Sequence, residues 1–176
     1  KAGRKAMPPE LAMQMPIIKD VLRAMNIEIL ELEGYEADDI IGTVAQEAEK
    51  AIIQPLIITG DKDALQLVSE HTRVIITKRG ITDFELYDPA KMKERYNLTP
   101  KQFIDLKGLM GDSSDNIPGI PGVGEKTGIK LLEQFGSIDN MLAHTDEISA
   151  QKLRNKVEEN AQLALMSKRL ATINVN

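Results

Sequence analysis

Seven carboxylates fall into three short groups: Glu36, Asp38 and Asp39; then Asp61 and Asp63; then Asp112 and Asp115. Each group has a plain reading of its own. Acids in a first helical turn favour the helix dipole. GDKD at 60–63 suits a turn running into an N-cap, and GDSSDN at 111–116 suits a polar loop. Taken together they carry more. No histidine lies near any of the groups, and like charges brought together repel and raise one another's pKa. Such a site is tolerable when cations fill it. Ligation by oxygen alone points to Mg²⁺ or Mn²⁺, not Zn²⁺. A pair of hard cations held this way can activate water and stabilise the leaving oxygen of a phosphodiester.

A second chemical feature follows within a few residues. GIPGVGEKT at 119–127 invites comparison with a nucleotide-binding P-loop, which needs Lys directly after its last Gly. Glu125 intervenes, and the turn follows a helix and a loop, not a strand, which excludes a triphosphate site. A helix-hairpin-helix-type turn fits better. Its glycines let a DNA backbone approach the amides of Gly122 and Gly124, and Lys126 and Lys130, four apart, share a helix face as phosphate partners. The plain alternative is a tight turn that only joins two helices.

Several elements must position these groups. Residues 9–25 read as a helix with Leu11, Met15, Ile18, Leu22 and Met25 on one face, and Pro16 is expected to kink or split it. IEILEL at 27–32 reads as a strand, ended by Gly34. A helix over 36–50 has Ile40, Ile41, Val44 and Ala48 on its apolar side. PLIIT at 55–59 reads as a buried parallel strand, followed by a short helix at 62–69 and a strand at 73–77. Lys78, Arg79 and Gly80 suggest a turn into an antiparallel edge strand at 83–87. From Pro89 onward every segment reads as a short helix: 89–96, 100–110, 125–135, 137–142, and one or two over 147–171. The fold class is therefore α/β, with a mainly parallel sheet and helices, followed by an all-helical half. The boundary is placed near Asn97, giving parts 1–97 and 98–176. The first two acid groups fall at the carboxyl ends of strands, where α/β sheets bind ligands.

Composition sets limits. The 176 residues can bury a core, and the absence of cysteine excludes disulfides and thiolate metal sites. No apolar run is long enough to span a membrane. The net charge of −5 argues weakly against a general nucleic-acid binder, but acids gathered at a metal site distort that balance. The first residue is Lys1, which suggests a piece of a longer chain.

GYEADDIIG at 34–42, ITGDKDALQL at 58–67 and LMGDSSDNIPGIPGVGEKTGIKLL at 109–132 resemble the 5′–3′ exonuclease domain of bacterial DNA polymerase I, within the flap-endonuclease-like 5′ nucleases. The resemblance runs in order over essentially the whole chain. It implies a metal-dependent 5′–3′ exonuclease and flap endonuclease, with a PIN/Rossmann-like core. It implies metal-site roles for Glu36, Asp38, Asp39, Asp61, Asp63, Asp112 and Asp115. Gly119, Gly122, Gly124, Lys126, Thr127 and Lys130 then belong to a duplex-gripping motif, where K⁺ can also bind. Lys1 and Arg4 look like the basic end of a helical gateway for the 5′ strand. The implied partners are DNA with 5′ flaps, nicks or 5′ ends, and the rest of a polymerase chain; the implied state is a monomer in the cytoplasm. The family opens with a strand bearing a metal-binding Asp and carries a second before the gateway. This chain starts after both, so weak or no cleavage by it alone is expected. Two other classes compete with this reading: a non-catalytic duplex-binding module, and a response-regulator-like phosphoacceptor, against which the glycine turn and the helical second half count.

Overall fold

The computed structural model describes residues 6–79 and 82–175. Its sheet has the order β1-β2-β3, with β1 at Leu56–Thr59, β2 at Arg73–Arg79 and β3 at Asp83–Tyr87. β1 and β2 run parallel, Leu56 opposite Arg73 and Thr59 opposite Ile76, while β2 and β3 are antiparallel. Parallel neighbours need a crossover, and here it contains a 3-10 helix, Lys62–Leu67. Ile57, Val74 and Ile76 bury one face of the sheet against Ala64 and Leu65 of that crossover. β2 continues to Arg79, so Lys78 and Arg79 are strand residues. The irregular register between Thr77 and Arg79 absorbs the turn expected there, and Gly80 lies outside the described residues.

Two expectations for the first third are corrected. Residues 27–32 are not a strand. A strand exists only through a ladder partner, and among the described residues β1 pairs with β2 alone. Leu30 and Leu32 stay exposed beside a groove of about 850 Å³, which Val44, Leu56 and Ile58 also line. Nor does Pro16 split its helix: α1 runs unbroken over Pro9–Ala24. α1 buries no residue, so the carbonyl of Ala12, left without its donor by Pro16, can be hydrated.

α2, Ala37–Lys50, packs Ala45 and Ile41 into the core. It is also stapled to the β1–β2 crossover. One carboxylate oxygen of Glu49 accepts from both the Ser69 and Thr72 hydroxyls, and Thr72 is fully buried. Those hydroxyls hold the Glu49 pKa below its ordinary 4.5. A lowered folded pKa stabilises above the unfolded value and is lost as pH falls through the folded one. Glu49→Gln is therefore expected to destabilise the protein at neutral pH. The gap to wild type should narrow as pH falls below about 4.5. Denaturant melts at pH 7 and pH 3 check this; a gap constant with pH would contradict it.

The second half is helical: α3 at Pro89–Tyr96, α4 at Pro100–Met110, α5 at Glu125–Phe135, α6 at Ile138–Ala143, a 3-10 turn at Thr145–Glu147, α7 at Gln151–Glu159 and α8 at Ala161–Ala171. The caps match the chemistry of their residues. Asn97 ends α3 in the left-handed region, and Thr99 with Gln102 forms a capping box ahead of Pro100. α4 is the axle of this half, packing on α5, α6 and α8 and on the 3-10 helix of the first half. At Gly108 α4 comes so close to α8 that a Cβ would lie 3.0 Å from the Lys168 Cα. Lys168 reaches back across this contact to the buried Asp105 at 2.8 Å. One cluster of buried side chains runs from Ala45 and Ile57 through Leu106 and Leu109 to Ala164.

Candidate functional site

The acids are brought together by α4 meeting the end of β1. Asp63 lies in the first turn after β1, and its amide is held by the carboxylate of Asp61 at 2.9 Å. Asp61 is exposed; Asp63 is 9% exposed. Asp112 follows Gly111, the left-handed residue that ends α4. The loop then closes on itself: Asp112 and Ile117 exchange both backbone hydrogen bonds at 2.8 Å. Asp112 Oδ1 accepts from the Ser114 amide and hydroxyl. This short closed loop makes the 112/115 spacing useful, because it turns Asp115 back toward Asp63. Asp63, Asp112 and Asp115 each offer an oxygen within 4.8 Å of the others.

The third group faces the same cleft from α2. Glu36 and Asp39 form a capping box at its N-terminus. Asp39 Oδ2 accepts from the Glu36 amide at 3.2 Å, and Oδ1 from the Asn174 amide at 2.9 Å. A cavity of about 340 Å³ is lined by Glu36, Asp38, Asp39, Asp63, Asp115 and Thr172, among others. The structure thus gathers six of the seven acids named from sequence around one cleft, Asp112 joining through the three-way cluster. Asp61 does not line this cavity, and its carboxylate accepts from the Asp63 amide.

Two participants escaped the sequence reading. The first is Lys107, 8% exposed, whose ammonium bridges Asp63 Oδ1 at 2.5 Å and Asp112 Oδ2. A lone lysine among Phe103, Leu106 and Leu109 on the inward face of a helix signals a buried carboxylate partner. The second is the stretch 172–175 after α8, which closes one wall of the cleft. Gln66 bonds Ala171 O and the Ile173 amide, while Val175 packs where any side chain at Gly42 would sit. That contact is long-range and leaves no mark in local sequence.

Burial and charge oppose each other in this cluster. Burial pushes the Asp63 carboxyl up, and the neighbouring Lys107 only partly offsets it. At Asp112 burial also works upward, but Lys107 and Ser114 outweigh it and hold the group at about 2. Burial disfavours the Lys107 charge, yet its two carboxylate partners raise its pKa above that of an ordinary lysine. Asp63 Oδ1 is buried, with the Lys107 ammonium 2.5 Å away. Three carboxylate oxygens within 4.8 Å of one another, all hard donors, fit a hard cation ligated by oxygen.

The glycine turn sits beside this loop. Gly119 adopts φ +61, and a Cβ there would fall 2.3 Å from the Gly111 nitrogen. Its amide donates to the buried Ser167 hydroxyl at 3.0 Å, and the Ile120 amide to Leu109 O at 2.7 Å. Gly119 is therefore required by packing. Gly119→Ala is expected to cost about 2 kcal/mol or more of stability, read as a drop in thermal midpoint. At Gly124, the N-cap of α5, a Cβ would meet nothing within 4 Å, so the space beside the helix start is open to a ligand. Lys126 and Lys130 are exposed and Thr127 half-buried. Gly122, at φ +80, has the Lys156 ammonium of α7 2.6 Å from where a Cβ would sit, so the turn acquires another cation from a distant helix. Lys1 and Arg4 lie outside the described residues.

Comparison with known proteins decides the family. Residues 1–97 match the model for the 5′–3′ exonuclease N-terminal resolvase-like domain, and residues 98–176 match the model for the 5′–3′ exonuclease C-terminal SAM fold. The chain belongs to the 5′–3′ exonuclease family. It is 58% identical over 173 residues to DNA polymerase I of Bacillus subtilis, covering 98% of this chain and 20% of that protein. To DNA polymerase I of Lactococcus lactis subsp. lactis it is 48% identical over 176 residues, covering 99% and 20%. The chain thus spans about a fifth of the length of these relatives. Its fold is shared with a T5 5′-exonuclease solved with divalent metal ions (zinc) bound, at TM-score 0.80 and 24% identity, covering 98% of this chain and 64% of that one. It is also shared with the catalytic core of Rad2 in complex with DNA substrate, at TM-score 0.64 and 18% identity, covering 98% and 59%. In this chain an α/β part precedes a helical part. Among the described residues, no helix is long and apolar enough to cross a membrane.

Proposed function

We propose that this chain is the 5′–3′ exonuclease and flap endonuclease part of a DNA polymerase I, used to trim 5′ ends during replication and repair. The convergence of Asp63, Asp112 and Asp115 within 4.8 Å carries the reading. The chain divides by role near Asn97. Residues 1–97 supply Glu36, Asp38, Asp39, Asp61 and Asp63, and residues 98–176 supply Asp112, Asp115 and the glycine turn. Mg²⁺ or Mn²⁺ at two places, held by Asp63, Asp112 and Asp115 and by Glu36, Asp38 and Asp39, would supply an activated water and neutralise charge on a phosphodiester. The chain's own residues do the rest. Asp61 positions Asp63 through its amide. The turn through Gly119, Gly122 and Gly124 is suited to phosphate through the amides of Gly122 and Gly124, of which Gly124 is the open end, and to K⁺ through its carbonyl oxygens, with Gly119 shaping the turn while its own amide stays on Ser167. Lys126, Thr127 and Lys130 meet the duplex backbone, and Lys1 and Arg4 guide the 5′ strand. The partners are DNA with flaps, nicks or 5′ ends and the rest of the polymerase chain, acting as a monomer in the cytoplasm.

A crystal soaked in Mn²⁺ and measured for anomalous scattering tests the centre. Peaks beside Asp63 and Asp112 are expected, and peaks confined to other surfaces would remove the reading. Catalysis by these 176 residues alone is proposed to be slower than that of the longer protein, compared on a 5′-flap substrate with Mg²⁺. Equal rates would show that the acids from Glu36 to Asp115 suffice.

A further inference from the structure

Lys107 lies on the buried face of α4, between Leu106 and Gly108, and its ammonium contacts two of the three clustered acids. Both contacts are close ion pairs. On the Asp112 side the ammonium donates a hydrogen bond to Oδ2. On the Asp63 side it lies 2.5 Å from the buried Oδ1. Asp112 is independently anchored by Ser114 and by its backbone pairing with Ile117. Asp63 is anchored through its amide, which leaves its carboxylate held by Lys107. Two carboxylates this buried need a positive charge between them, and removing that charge is costly. An ammonium and a divalent cation cannot share the same oxygens without strong repulsion. A lysine, with its flexible stem and compact charge, is suited to move aside.

We propose that Lys107 is an internal counter-cation: it holds the Asp63–Asp112 pair together without metal and releases Asp63 when a divalent cation binds. It is a positioning residue and not a ligand, and the inference rests on the reading of the acid cluster as a cation site. Lys107 lowers the affinity of that site, because each bound cation must first displace it. In exchange the acids keep their arrangement between binding events.

The test measures Mn²⁺ binding by titration calorimetry and thermal melting in the full chain, for wild type, Lys107→Met, Lys107→Arg and Asp63→Asn. Lys107→Met is expected to bind Mn²⁺ at least about tenfold more tightly than wild type. In EDTA it should melt about 5 to 10 °C lower, with saturating Mn²⁺ closing most of that gap. Lys107→Arg should stay close to wild type, and Asp63→Asn should weaken binding. Unchanged or weaker Mn²⁺ affinity in Lys107→Met, beside normal binding by wild type and loss in Asp63→Asn, overturns the role of Lys107 alone. No Mn²⁺ binding by any variant overturns the cation site and Lys107 with it. If Lys107→Met does not fold, wild type decides through the ¹⁵N signal of the Lys107 ammonium, which should shift on Mg²⁺ titration; a signal unmoved at saturation overturns the proposal.

Discussion

Asp63→Asn is expected to lower 5′-flap cleavage by the longer protein about a thousandfold in Mg²⁺, with the fold and duplex binding retained. Asn matches Asp in shape, so the first turn after β1 and its bond to Asp61 survive. Lys107 keeps Asp112 as a partner. What disappears is one anionic oxygen of the three within 4.8 Å, and with it the charge that makes the cluster a cation site. Asp61→Asn should be milder, about tenfold, because its carboxylate acts by accepting from the Asp63 amide, which an Asn oxygen can still do. Single-turnover cleavage of a flap substrate ranks the two, with circular dichroism as a check on folding. Equal losses in both would mean that Asp61 is a direct participant. No loss in Asp63→Asn would leave a duplex-binding module as the better description.

Replacing both Lys126 and Lys130 by Ala is expected to weaken duplex binding by about ten- to a hundredfold. The slope of log affinity against log salt should flatten by about two units, one for each phosphate contact removed. Both side chains are exposed on α5, directly after the open Gly124. Neither belongs to the buried core, so stability should not change. Lys156→Ala, which removes the cation beside Gly122, should add a further flattening of about one unit. Fluorescence anisotropy with a nicked duplex at several salt concentrations reads both numbers. A parallel displacement of the binding curve with unchanged slope would mean that these lysines act through the fold and not through phosphates.

The two halves of the chain depend on each other at one place. α4 packs against the 3-10 helix that carries Asp63, and its C-terminal end carries Lys107 and delivers Asp112. The glycine turn is bonded to the same end of α4 through Ile120 and to α8 through Gly119. The acid cluster and the glycine turn therefore share a rigid support. A change such as Gly119→Ala should disturb both.

Local chemistry made much of this legible in the sequence. Gly136 and Ser137 end α5 and begin α6, Thr99 and Pro100 open α4, and the β-branched run Val74, Ile75, Ile76 and Thr77 marks β2; each depends on neighbours in the chain alone. The three acid groups and the glycine turn were visible for the same reason, since their spacing is short and their residue types are unusual together. Other features were decided in three dimensions. Whether 27–32 is a strand depends on a partner that no local pattern reveals. α1 carries an apolar stripe yet buries nothing, because periodicity records what a face could cover and not what covers it. Lys107 entered the site because α4 packs with that side inward, and Asn174 reached Asp39 across 135 residues of chain. The sequence determined which groups could do chemistry; long-range packing decided which of them face one another and at what charge.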